Sequence, residues 1–176
     1  MDVGGVRIGG GSLTIIAGPC LAESLSLCLE VASHMRDLCH SLDLDFVFKA
    51  SFDKANRTSA TSARGSGMKP GLEIIKEVKH RLGVPATTDV HLPSQATDVA
   101  EVVDLLQVPA FLCRQTDLLA ACARTGRPVN VKKGQFLAPW DAENIVVKLR
   151  GLQAAGIMLT ERGTTFGYNS LVVDMP

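Results

Sequence analysis

Short apolar, β-branched runs that finish on polar or charged residues alternate along this chain with longer amphipathic stretches, the sequence form of repeated strand–helix units. Six strands are predicted, at residues 13–20, 45–51, 85–91, 105–112, 128–133 and 156–162, with helices at 22–42, 71–82, 94–102, 116–125 and 141–155 between them. Boundary signals agree with this division. Ser94 is placed to cap its helix, Thr116 and Asp117 open the next, and Gly83 and Gly126 follow helix ends. Ahead of the first strand, the run from Val6 through Gly9-Gly10-Gly11 to Thr14 predicts a small hairpin turned on its glycines and set at the bottom of a barrel. It lacks the preceding strand and following helix of a phosphate-binding loop.

Polar side chains gather where the predicted strands end: Cys20, then Lys49, Asp89 with His91, Arg114 with Gln115, Lys132 with Lys133, and Glu161 with Arg162. Strand carboxyl ends are where α/β folds build their sites. Six strands aiming chemistry one way predict a (β/α) barrel rather than an open, flavodoxin-like sheet, although the open sheet would also collect polar residues at strand ends. No linker interrupts the pattern, so residues 1–176 are expected to form a single, partial barrel domain of about six βα units.

Composition narrows the ligand rather than the fold. Of 176 residues, 46% are hydrophobic and 20% charged, enough to bury a substantial core. Eighteen basic residues balance eighteen acidic ones, so no global field draws the chain to nucleic acid or a membrane, and any positive potential is local. Small anions fit this balance better. Five cysteines, odd in number and without a CxxC pair, together with the lack of a secretory start, predict a reducing cytoplasm. No apolar run approaches the roughly 20 residues of a membrane span.

The densest chemistry is the run from Phe46 to Ser59, in which an apolar strand breaks into Lys49, Lys54 and Arg57 with Asn56, Thr58 and Ser59 among them. Lysine at the end of a buried strand is costly without an anionic partner, and the following loop supplies charge, a planar fork and hydroxyls for a second anion. Lys132 and Arg162 repeat the strand-then-cation pattern. Cations converging on one pocket repel unless a multiply charged ligand sits between them, which implies a phosphate-bearing substrate. Lys133, beside Lys132, is expected to be solvated, and Glu161 could pair locally with Arg162. Asp89 and His91 share a strand face, a spacing suited to a sugar hydroxyl or a proton relay. Cys20 closes Ala17-Gly18-Pro19-Cys20, where a thiol could ligate a metal, act as nucleophile or be buried. Cys28, Cys39 and Cys122 fall in helices and read as core, while Cys113 adjoins Arg114.

Taken together, Ala17-Gly18-Pro19-Cys20, Phe48-Lys49-Ala50-Ser51-Phe52-Asp53-Lys54-Ala55-Asn56-Arg57, Thr88-Asp89-Val90-His91, Cys113-Arg114-Gln115-Thr116-Asp117, Asn130-Val131-Lys132-Lys133-Gly134-Gln135-Phe136 and Glu161-Arg162-Gly163-Thr164-Thr165-Phe166-Gly167-Tyr168 closely resemble the 3-deoxy-D-manno-octulosonate 8-phosphate synthases. The resemblance spans nearly the whole chain. It implies a (β/α)8 TIM-barrel fold and a cytoplasmic transferase that condenses phosphoenolpyruvate with D-arabinose 5-phosphate in lipopolysaccharide (KDO) biosynthesis. It also implies that Lys49, Lys132 and Arg162 hold phosphoenolpyruvate, with Arg114 reinforcing its phosphate. Lys54, Asn56, Arg57 and Thr58 would position the pentose phosphate, and Asp89 and His91 its hydroxyls or the transferred proton. Thr58 stands where serine is common in the family. Related synthases using erythrose 4-phosphate typically carry a Lys-Pro-Arg-Thr-Ser loop, whereas this loop reads Lys54-Ala55-Asn56-Arg57-Thr58-Ser59.

Family members with cysteine at the Cys20 position form the metal-dependent class, so the resemblance implies a divalent transition metal such as Fe, Mn or Zn, with Cys20 as one ligand. The other ligands, a histidine, a glutamate and an aspartate, lie in the family beyond the sixth strand. A complete barrel runs to roughly 250 residues, and residues 171–176 are expected to begin the sixth barrel helix. A homo-oligomer, the family's tetramer, is implied. The alternative is a non-catalytic fragment or pseudo-enzyme that binds phosphorylated ligands.

Overall fold

The computed structural model describes every residue except Asp174 and Pro176. It is a mixed α/β structure falling into two compact units, one of Met1–Asp89 with Asp98–Leu105, the other of Val90–Thr97 with Leu106–Pro176. A short antiparallel hairpin, β1 (Asp2–Val3) and β2 (Val6–Arg7), starts the first unit. Its parallel strands follow in chain order as β3 (Thr14–Ala17), β4 (Asp45–Lys49) and β5 (Ala86–Asp89). Helix α1 (Leu25–Ser41) connects β3 to β4, and α2 (Met68–Leu82) connects β4 to β5. After α3 (Ala96–Val102) comes β6 (Leu105–Val108), which enters the second unit at Leu106, and that unit repeats the form with α4 (Thr116–Arg124), β7 (Val129–Lys132), α5 (Glu143–Gly151) and β8 (Ile157–Thr160). Each of the six predicted runs therefore contains one parallel strand, shorter than the run expected.

The strands are short; β4 to β7 are largely buried, as parallel strands covered by helices are, whereas β3 and β8 are half-buried. Phe46, Val47, Phe48, Val129 and Val131 are all buried, and Leu105, Leu106 and Val108 are fully so. Helix ends follow local chemistry. Ser24 Oγ accepts the N–H of Leu27 at 3.3 Å to cap α1, and Gly83, at φ 64°, ends α2 in the left-handed conformation with its N–H on the Lys79 carbonyl.

Several expectations need correction. The 105–112 strand stops at Val108, because Pro109 cannot donate to a ladder, and Ala110–Leu112 close into a 3-10 turn. Ser94 does not cap a helix. It lies within the 3-10 turn Pro93–Gln95, where Gln95 Oε1 instead accepts the N–H groups of His91 and Leu92, each at 3.0 Å. Helix α2 begins at Met68, ahead of the expected 71, since Pro70 is tolerated in a first turn that needs no N–H donor.

The N-terminal hairpin turns on Gly4 and Gly5, not on the later glycines. At φ 57°, Gly4 packs where a Cβ would come within 2.8 Å of both Asp104 and Pro85, so the hairpin sits at the amino end of β5. Residues 171 and 172 are not helical: β9 (Thr164–Phe166) and β10 (Ser170–Val172) form an antiparallel hairpin turned through Gly167 and Asn169, both at positive φ. The remainder of that expected helix includes Asp174 and Pro176, which lie outside the described residues. Among the described residues, no helix is long and apolar enough to cross a membrane.

Candidate functional site

In the first unit the polar strand ends form one hydrogen-bonded cluster. Lys49 on β4 stands opposite Thr87 on β5, so the same register carried two residues further sets Ser51 beside Asp89. Ser51 Oγ donates to Asp89 Oδ2 at 2.5 Å and accepts from Lys49 Nζ at 2.8 Å and from Lys54 Nζ at 3.0 Å. Lys49 Nζ also lies 3.3 Å from Asp89 Oδ2. Ser51 is fully buried and Asp89 nearly so. One hydroxyl therefore gathers two ammonium groups and a carboxylate. Lys49, Lys54 and Asp89 are site candidates from sequence, whereas Ser51 is not, although it stands two residues beyond Lys49 on the same face.

Beside this cluster, Gly18 passes so close to β4 that a Cβ would fall inside contact distance of the Lys49 carbonyl. That close approach delivers Pro19 and Cys20 to the strand tips. The thiol of Cys20 is exposed. It is held below its ordinary value, chiefly by a hydrogen bond from Lys54; partial burial opposes this, and the charges of Lys54, Lys49 and Arg57 add to it. The loop beyond Lys54 is exposed, placing Asn56, Arg57 and Thr58 in solvent. Its base is fixed by the Arg64–Asp53 ion pair, with Arg64 Nε to Asp53 Oδ1 at 2.9 Å, and by Arg57 Nε on the Ala63 carbonyl at 3.1 Å.

The second unit carries Arg114, Lys132, Arg162 and His91. Lys132 ends β7 on the face of Asn130, two residues earlier. Along that face Asn130 Nδ2 donates to Gln107 Oε1 at 3.0 Å and Thr160 Oγ1 donates to Asn130 Oδ1 at 2.9 Å, a polar ladder across β6, β7 and β8 that the sequence reading did not identify. Lys132 is half-buried and Arg162 exposed. Arg114 borders a cavity of about 530 Å³ lined also by Cys113, Asp141, Asn144 and Lys148, whose lining includes neither Lys132 nor Arg162.

Lys133 is not solvated. Alternation turns it to the opposite face from Lys132, and it is only 2% exposed. Glu161 meets its ammonium at 3.5 Å, and the same carboxylate oxygen takes the backbone N–H groups of Arg162 and Gly163. Glu161 therefore serves Lys133 and the backbone of its neighbours.

Among the described residues, no three His, Cys, Asp or Glu side chains group closely enough to hold a metal ion. Cys20 therefore lacks a full ligand set among the described residues, which do not by themselves fit the divalent metal that the resemblance implies.

The model of the DAHP synthetase I family matches residues 2–176. Similar proteins include the 2-dehydro-3-deoxyphosphooctonate aldolase of Citrifermentans bemidjiense, 55% identical over 176 residues, covering 99% of this chain and 64% of that protein. Those of a Cyanothece species and of Fusobacterium nucleatum are 57% and 54% identical, covering 96% and 99% of this chain and 62% and 63% of theirs. The chain therefore spans less than two thirds of the length of these relatives.

Proposed function

Since the chain belongs to the DAHP synthetase I family, we propose that it is part of a cytoplasmic 3-deoxy-D-manno-octulosonate 8-phosphate synthase, a transferase joining phosphoenolpyruvate to D-arabinose 5-phosphate. Its relatives carry the name of 2-dehydro-3-deoxyphosphooctonate aldolases. The observation that carries the reading is the Ser51 cluster, which holds Lys49 and Lys54 at the root of the Lys54-Ala55-Asn56-Arg57-Thr58-Ser59 loop. A fixed pair of ammonium groups beside an exposed loop bearing a guanidinium, an amide and hydroxyls suits two anionic substrates rather than one. In this reading residues 1–176 contribute about six units of a (β/α)8 barrel that works as a homo-oligomer.

The roles follow the resemblance residue by residue. Lys49, Lys132 and Arg162 hold phosphoenolpyruvate, and Arg114 supports its phosphate. Lys54, Asn56, Arg57 and Thr58 hold the pentose phosphate, while Asp89 and His91 attend its hydroxyls or the transferred proton. C3 of phosphoenolpyruvate attacks the open-chain aldehyde, water adds at C2, and phosphate leaves with cleavage of the C–O bond. The protein's work is positioning and electrostatics: cations orient both anions and stabilise the developing alkoxide.

Lys132→Ala or Arg162→Ala in the full-length protein removes a charge-assisted contact and should lower kcat/KM by about a hundredfold. An unchanged efficiency in both would remove them from the site.

A further inference from the structure

Two of the cations assigned to phosphoenolpyruvate, Lys132 and Arg162, are each bonded in sequence to one member of an ion pair, buried Lys133 and half-buried Glu161. Lys133 Nζ donates to the carbonyls of Gly163 at 2.7 Å, Leu137 at 3.1 Å and Gly134 at 3.2 Å, and to Thr164 Oγ1 at 3.2 Å. From the other side, Glu161 Oε1 takes the N–H groups of Arg162 at 2.9 Å and Gly163 at 2.5 Å while lying 3.5 Å from the Lys133 ammonium. Two loops are thereby closed onto one charge: the turn after β7, through Gly134 and Leu137, and the segment after β8, through Glu161, Gly163 and Thr164.

Burying an ammonium this deeply is costly, and a packing role alone would be met by an apolar residue. What the charge adds to the backbone hydrogen bond between these segments, from Thr165 N–H to the Gln135 carbonyl at 2.8 Å, is a fixed distance at Gly134 and Gly163. Gly163 is part of the same lock: at φ 83° it leaves room for the Leu171 side chain and the Val172 carbonyl, which a Cβ would meet at 2.7 Å and 2.9 Å. Of the β9 residues, Thr164 touches the lock, through its hydroxyl to Lys133 and to the Leu137 carbonyl at 3.0 Å.

We propose that Lys133 and Glu161 are positioning residues for substrate binding, which set the spacing of Lys132 and Arg162 for the carboxylate and phosphate of phosphoenolpyruvate without touching it. This rests on the assignment of Lys132 and Arg162 to that substrate. Losing the lock loosens Arg162, two residues beyond the β7–β8 ladder that holds Lys132, so it weakens a ligand that needs both and spares one that needs neither.

The test measures phosphoenolpyruvate and arabinose 5-phosphate dissociation constants by calorimetry in the full-length protein and in its Lys133→Met, Glu161→Ala, Glu161→Gln, Lys132→Ala and Arg162→Ala variants. Lys133→Met and Glu161→Ala should each weaken phosphoenolpyruvate by about tenfold, the scale of one charge-assisted hydrogen bond, and leave the sugar phosphate within about twofold. Glu161→Gln keeps an acceptor for the two N–H groups and should restore most of the affinity lost in Glu161→Ala. Should Lys133→Met not fold, the Glu161 pair of variants decides. Wild-type phosphoenolpyruvate affinity in Glu161→Ala, or equal loss for both substrates, overturns the proposal. If Lys132→Ala and Arg162→Ala also bind phosphoenolpyruvate normally, the substrate assignment fails with it; if they alone bind weakly, only the positioning role fails.

Discussion

Ser51 and Asp89 meet across β4 and β5 through a 2.5 Å hydrogen bond in which the serine hydroxyl donates and the carboxylate accepts. Because that hydroxyl also accepts from Lys49 and Lys54, it sets the geometry of both cations. Ser51→Ala would leave one lone pair of a nearly buried carboxylate and two ammonium protons without their shared partner. The expected cost is about 1–3 kcal/mol of stability, the usual penalty for unsatisfied buried polar groups. Urea unfolding of the variant checks it, and a midpoint equal to wild type would show that water replaces the hydroxyl without loss.

Cysteine chemistry should separate along the same line. Burial and the charge of Glu23 push the Cys28 thiol up to about 11, and burial pushes Cys122 up to about 12. Cys20 is exposed and its thiolate is favoured by Lys54. Since the thiolate is the nucleophile, iodoacetamide should label Cys20 first in the native protein, with a pH profile whose rise lies below that of an ordinary thiol. Lys54→Met should move that rise to higher pH. Peptide mass spectrometry of timed samples reads both, and first labelling at Cys28 or Cys122 would contradict the arrangement.

Gly18 is expected to resist even the smallest side chain. An alanine methyl there would press on the backbone carbonyl of Lys49, which cannot swing away as a flexible side chain would. Gly18→Ala should therefore part the ends of β3 and β4 and displace Cys20 and Lys49 together, at a cost of about 1–3 kcal/mol, the usual range for overpacking. Thermal unfolding of Gly18→Ala beside Gly83→Ala separates the two causes. At Gly83 the backbone is left-handed but the space is open, so only conformational strain acts.

Where strands and cations fall was legible because apolar runs and their polar ends are written locally: Lys49, Asp89 and Lys132 each end the strand that carries them. Side-chain direction at the chain's irregular points was not. Lys132 and Lys133 are indistinguishable as letters, yet one ends a polar face and the other is sealed beneath four hydrogen-bond acceptors. That difference depends on carbonyls from residues 134, 137 and 163, which only the folded chain assembles. The hairpin of β9 and β10 was missed for a related reason, since its strands are three residues each and its turn needs positive φ at Asn169 as well as Gly167. The resemblance marks Glu161 to Tyr168 as a motif without giving its shape.

We propose that the loop rooted on the Ser51 cluster recognises a pentose phosphate. It is tested most directly by following phosphate release from phosphoenolpyruvate in the full-length protein with arabinose 5-phosphate or erythrose 4-phosphate as the only acceptor. Release with arabinose 5-phosphate is expected at a kcat/KM at least about a hundredfold above that with the tetrose, a difference of roughly 2.7 kcal/mol. Equal rates, or a preference for erythrose 4-phosphate, would contradict it.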